Sequence, residues 1–119
     1  MQANFEQLTA AQKGMADAIT ELDQLRDKVA MARQIVEFCG DRRKSALSVL
    51  VVEYLKMDMP IGAAEHQARA DARFKAEMQT IMKQTGEAER VIKAWELCRL
   101  KFECARSLLS AERSLLEMR

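Results

Sequence analysis

Two groups of cations are the residues whose type and spacing are best suited to chemistry. Arg42, Arg43 and Lys44 are consecutive, and Arg99, Arg106 and Arg113 recur every seven residues, which aligns them along one side of a helix. Cations repeated on a helix can follow a phosphate backbone, drawing affinity from counterion release without reading bases. Each group also has a plainer reading as a solvated surface. Glu96 and Glu103 stand three residues before Arg99 and Arg106, and Glu112 adjoins Arg113, so ion pairing would occupy the whole second group. Beside the first group the only near acid is Asp41. Tyr54 and Trp95 could stack on bases, although Trp95 falls in an apolar stripe where core packing is the better account.

Catalytic chemistry finds little here. His66 is the only histidine, and its neighbours Glu65 and Gln67 do not make a metalloprotease helix motif. Cys98 and Cys104 are six residues apart and so project from different faces of a helix, while Cys39 lies far away in sequence. An odd number of cysteines without a C-x-x-C pair reads as buried thiols in a reducing compartment. No glycine-rich loop follows a strand, and the carboxylates sit among Lys and Arg at spacings that suit helix ion pairs. The expectation is a protein that is not an enzyme, with no catalytic residues, no metal site and no cofactor.

The elements that carry the cations are helices. Hydrophobic residues make up 49% of the 119, but aromatics only 5%, leaving Ala, Leu and Met to dominate, side chains that lose little rotamer freedom in a helix. Leu8, Met15, Leu22, Val29 and Val36 recur every seven residues, and Ala11, Ala18, Leu25, Ala32 and Cys39 follow each by three. Such an unbroken heptad pattern specifies a coiled-coil helix, of roughly 50 Å at ~1.5 Å per residue. A second stripe runs through Phe74, Ile81, Ala88, Trp95, Phe102, Leu109 and Leu116, with Val91, Cys98 and Ala105 as companions. Its phase passes Thr85-Gly86 unbroken, which favours one continuous helix over a split there. Gly40-Asp41 leaves both options open: a helix stop followed by an Asp cap, or a glycine inside one helix at a cost of about 1 kcal/mol.

Between these arms the pattern changes. Ala46, Leu47, Val49, Leu50, Val51, Val52, Tyr54, Leu55 and Met57 cover nearly every face of a helix, and such a helix must be covered all round. With few turns available to fold back on itself, the chain is expected to draw that cover from other subunits, with Leu47, Leu50, Val51 and Tyr54 at the contact. Val49 to Val52 is also β-prone, so a short strand is the competing reading. Pro60-Ile61-Gly62 is the one clear chain reversal. The organisation expected is a single all-α domain over 1–119: a coiled-coil arm at 1–40, an apolar middle at 41–60 and a long helical arm at 61–119. Long coiled-coil helices would form a helical hairpin or open bundle and assemble as a homo-oligomer.

Net charge is only +1, so no global field advertises a nucleic-acid or membrane partner. The distribution is uneven: residues 1–40 carry four basic and six acidic groups, residues 90–119 seven basic and four acidic. The polar N-terminus holds no secretory signal, and Ala46 to Leu55 is too short to span a bilayer, so the expected location is the cytoplasm, with no membrane partner.

Arg42-Arg43-Lys44-Ser45-Ala46-Leu47, with Tyr54 seven residues after Leu47, resembles the basic K-K-x-A-L…Y segment of the UvsY-like family of phage recombination mediators. Trp95, Leu97, Ala105 and Leu109 resemble that family's C-terminal helix, and the two stretches together cover about a third of the chain. Where the family carries further basic residues, this chain has the uncharged run Ser48-Val49-Leu50-Val51-Val52. The resemblance implies a small helical homo-oligomer that binds single-stranded DNA and acts beside a recombinase or a single-strand-binding protein. The main alternative is a purely structural or adaptor coiled coil working only through protein contacts; the near-neutral net charge favours it, while the clustered Arg42-Arg43-Lys44 favours DNA.

Overall fold

The computed structural model describes the backbone from Gln2 to Met118 and the side chains from Ala10 onward. All regular structure among the described residues is helical: α1 spans Gln2–Leu55, α2 Ile61–Ala70 and α3 Ala72–Glu117, with α1 and α3 antiparallel. The chain separates into two compact units. One joins Met1–Ala30 to Val91–Arg119, and the other is Met31–Arg90.

α1 runs through Gly40-Asp41 without interruption. No positive φ occurs at any glycine, and a Cβ placed on Gly40 would meet nothing within 4 Å, so the position is an ordinary helical one with a hydrogen for a side chain. The β-prone run Val49–Val52 is helical too, because helix on both sides and the burial of Leu50 outweigh a local preference worth at most ~1 kcal/mol. α1 ends where the bonds tighten: Met57 N–H donates to the Tyr54 carbonyl at 3.0 Å and Asp58 N–H to the Leu55 carbonyl at 3.1 Å. Asp58 then takes φ 65°, the left-handed conformation that stops a helix, which an aspartate tolerates better than most residues. Pro60, with no N–H to lose, precedes α2, and its carbonyl accepts the Ala64 N–H at 2.9 Å.

The reversal signalled by Pro60 is therefore followed by a short helix and a second break, at Asp71. That residue is extended, with φ −64° and ψ 133°, and it ends α2 and caps α3 in one step. Its Oδ1 accepts the Arg73 backbone N–H at 2.8 Å, an N-cap bond that satisfies a donor the first helical turn leaves open. α3 then passes Gly86 as a continuous helix, in keeping with the unbroken phase of its stripe.

The core follows both heptad stripes. In the first unit Ala11, Ala18, Val29, Cys98 and Leu109 are buried, with Met15, Leu22, Leu25, Trp95 and Phe102 half-buried. The first member of the α1 stripe, Leu8, lies outside the described side chains. The alanines let α1 and α3 approach closely: a Cβ on Gly14 would stand 3.9 Å from the Ala105 Cβ. In the second unit Ala32, Leu50, Ile81 and Ala88 are buried, and α2 contributes Ala64 and Ala68, one turn apart and both wholly enclosed. Ile81 is the largest fully enclosed side chain. Part of the cover expected from neighbouring subunits is thus supplied by α2 and α3 of the same chain.

Candidate functional site

Arg42, Arg43 and Lys44 lie on α1 in the second unit, and the three differ in what holds them. Arg42 is half-buried, donating to Gln84 Oε1 of α3 at 2.7 Å and standing 3.7 Å from Glu77. Asp41, its neighbour in sequence, is not the partner; the antiparallel register brings Glu77 to it from α3. Arg43 and Lys44 are exposed, and among the described residues no ion pair engages either. Successive residues on a helix point about 100° apart, so the triplet does not form one patch.

Arg99, Arg106 and Arg113 belong to the first unit and are all exposed. Glu96, Glu103 and Glu112 do not pair with them among the described residues. Arg99 instead lies over the ring of Trp95, one helical turn back, at 5.1 Å from its centroid. That face of Trp95 is therefore covered by its own helix, and the ring also lines a hollow with Ile19, Leu22 and Phe102. Glu112 turns the other way: it is buried, and its Oε2 has no hydrogen-bond partner. The two cation groups lie in different units.

Of the proposed contact residues, Leu50 is buried within its own chain, while Leu47, Val51 and Tyr54 are half-buried. The outermost apolar side chains of this segment are Val49, Met57 and Val52. Leu50 and Val49 line a groove of about 510 Å³ with Phe38 and Phe74, rimmed by Asp41, Arg42, Arg73 and Glu77. Apolar walls under a charged rim suit a protein side chain or helix better than a nucleotide.

Beside that groove stands a cluster that sequence reasoning missed. Tyr54 Oη donates to Asp71 Oδ2 at 2.7 Å, and the Arg73 guanidinium donates to the same oxygen at 2.9 Å and to Glu53 Oε1 at 3.1 Å. The Arg73 bonds, then the Tyr54 hydroxyl, hold the Asp71 carboxyl well below the usual carboxylate range. The Asp71 carboxylate in turn pushes the Tyr54 hydroxyl up, and with Glu53 it raises Arg73 further. All of these shifts favour the charge states already present at neutral pH. The arrangement ties the start of α3 to the end of α1 and gives no group poised to exchange a proton near pH 7. The signal available in the sequence was Asp71 just ahead of an apolar-periodic run.

Cys98 donates its thiol to Glu21 Oε2 at 2.9 Å, and this bond, with burial, raises the thiol pKa and so suppresses thiolate reactivity. Of the three thiols expected to be buried only Cys98 is; Cys39 is half-buried, Cys104 points away from the α1 contact and is exposed, and all three cysteines are free. Among the described residues no three His, Cys, Asp or Glu side chains converge to hold a metal ion. No described helix is long and apolar enough to cross a membrane. No protein-family model, curated protein or solved structure matches this chain.

Proposed function

We propose that this protein is a non-catalytic accessory protein that self-associates and binds single-stranded DNA through cations repeated over the assembly. The observation that supports this reading is the state of the cations. Arg43, Lys44, Arg106 and Arg113 are exposed and engaged by no carboxylate among the described residues, so phosphate could take them without breaking an existing pair. Arg42 and Arg99 are held by Glu77 with Gln84 and by Trp95, and serve as secondary contacts. One subunit offers few free cations, so useful affinity comes from several copies engaging one strand. The resemblance to phage recombination mediators adds a recombinase or single-strand-binding protein as the companion in that role.

A gel-shift titration with single-stranded oligonucleotides across a range of salt tests the proposal. The expected result is sequence-independent binding that weakens steeply with salt. Replacing Arg43 and Lys44 with Ala should reduce the slope of log K against log salt by about 0.7 for each phosphate they neutralise, with helicity unchanged. No binding at low salt, or a slope indifferent to both cation groups, refutes it. A second reading, an adaptor that works only through protein contacts, is favoured by the exposed apolar side chains of both units, among them Phe38, Val49, Met82, Leu97 and Leu100. Under that reading the oligomer persists and the oligonucleotide stays free.

A further inference from the structure

The joint between α2 and α3 is a single residue, and only one of its torsions departs from a helix. Asp71 has φ −64°, the value of an ordinary α-helix, while its ψ of 133° is extended. Turning that one ψ to roughly −42° would run α2 into α3 as one helix over 61–117. The local sequence does not oppose this. Arg69-Ala70-Asp71-Ala72-Arg73 holds no glycine or proline, and alanine and arginine are among the strongest helix formers. Straightening would also make backbone bonds, joining the N–H groups of Ala72, Arg73 and Phe74 to the carbonyls of Ala68, Arg69 and Ala70. In the bent form Ala72 and Phe74 donate to no backbone carbonyl among the described residues, and the Arg73 N–H relies on the Asp71 side chain.

What holds the bend is tertiary. Tyr54 Oη on α1 donates to Asp71 Oδ2 at 2.7 Å, and Glu53 on α1 holds Arg73 at 3.0 Å. The Arg73 guanidinium closes on Asp71, two residues back, a pairing that the bend permits and a helix does not, since side chains two apart diverge on a helix. α2 itself adds little grip. Its buried side chains are the methyls of Ala64 and Ala68, and a helix of 10 residues is too short to persist alone in water. Once released from α1, it keeps its helix only by fusing with α3.

We propose that α2 is a hinged arm, with Asp71 as a two-state joint and the Tyr54 hydroxyl as the latch that keeps it bent. In the bent state Ala64 and Ala68 are enclosed. In the straight state the arm lengthens α3 by about 15 Å, at ~1.5 Å per residue, and bares both alanines. Any partner that takes the Tyr54 hydroxyl for itself releases the arm, so an event at the end of α1 is reported as a change in the length of α3.

Residue-resolved amide hydrogen exchange on the full chain reads the joint directly. Tyr54→Phe keeps the ring and removes the hydroxyl. The Ala72 and Phe74 amides should then become better protected, by roughly two- to fivefold, the factor by which losing one hydrogen bond shifts such an equilibrium. A substitution that merely loosened the structure would lower protection there instead. Ala72→Pro supplies the converse. Proline suits the first turn of a helix, the N–H it lacks is one the bent form leaves without a carbonyl, and it confines Asp71 to the extended ψ already present. Alone, Ala72→Pro should leave the circular dichroism spectrum unchanged. Added to Tyr54→Phe, it should return the Phe74 amide to its wild-type exchange rate. Unchanged or lower protection at Phe74 in Tyr54→Phe, or a gain that Ala72→Pro does not reverse, overturns the proposal. So does a loss of helix with Ala72→Pro alone, which would mean that the joint is already straight in solution.

Discussion

Gly40 and Gly86 give the sharpest test of the fold, because the sign of a single change depends on whether the helices run through them. Both lie inside helices, neither has positive φ, and a Cβ on either meets nothing within 4 Å. Alanine therefore enters without strain, and the unfolded chain loses the extra freedom that glycine gave it. The expected gain is about 0.5–1 kcal/mol at each site. Unfolding entropy of ~2.1 cal/mol/K per residue makes 1 kcal/mol worth about 4 °C for a chain of this length. Gly40→Ala and Gly86→Ala should thus raise the melting temperature by roughly 2–4 °C each. Thermal denaturation followed by circular dichroism at 222 nm measures this, at one fixed protein concentration since self-association makes Tm concentration-dependent. A glycine that ended a helix in the left-handed conformation would respond with the opposite sign. Melting of the Gly40→Ala protein below that of the wild type would therefore refute a continuous α1.

Ile81 is wholly enclosed, so Ile81→Ala should cost about 2–5 kcal/mol by urea denaturation, whereas the exposed Gln79→Ala should stay within ~0.5 kcal/mol; equal costs would remove Ile81 from the core. The Asp71 carboxyl is held below its unfolded value, so its contribution is present above about pH 4 and lost as pH falls through the lower folded value. Melting temperature against pH should accordingly drop in acid, and Asp71→Asn should flatten that drop. The same substitution should bring the Tyr54 hydroxyl back towards its ordinary value in an ultraviolet titration, since Asp71 is the main group raising it. Glu112 is buried with an unpartnered oxygen, so Glu112→Leu should raise stability by about 1–3 kcal/mol, and a fall in Tm would mean the carboxylate is satisfied in solution.

The two heptad stripes were legible because burial in a long helix recurs with the period of the helix itself, and Ala11, Ala18, Val29, Ile81, Ala88 and Leu109 are buried where that period puts them. Gly40 was ambiguous because glycine serves a helix end and a tolerated interior equally well. Asp71 was overlooked for a related reason: a cap made by an aspartate needs neither glycine nor proline, so it leaves little trace beside the louder signal at Pro60. Side-chain pairing between distant segments was out of reach. That Arg42 belongs to Glu77 and Gln84 depends on the register of α1 against α3, which no local spacing encodes. The cations of α3 misled in the other direction, since spacing alone offers Glu96 and Glu103 as partners while Arg99 turns to Trp95.

From Leu97 to Met118 α3 is two-sided, with Cys98 and Leu109 buried and Leu97 and Leu100 exposed, and this bears on how the chain can change over time. One stretch of residues holds two interleaved messages, read from opposite sides of the same cylinder. A substitution edits one message and leaves the other, so the outer side is free to drift or to acquire a new partner while the inner side stays fixed. Inserting or deleting a single residue rotates everything beyond it by ~100° and scrambles both messages together. Within this stretch, length should vary by close to whole numbers of helical turns, about seven, eleven or eighteen residues, which keep both sides nearly in phase.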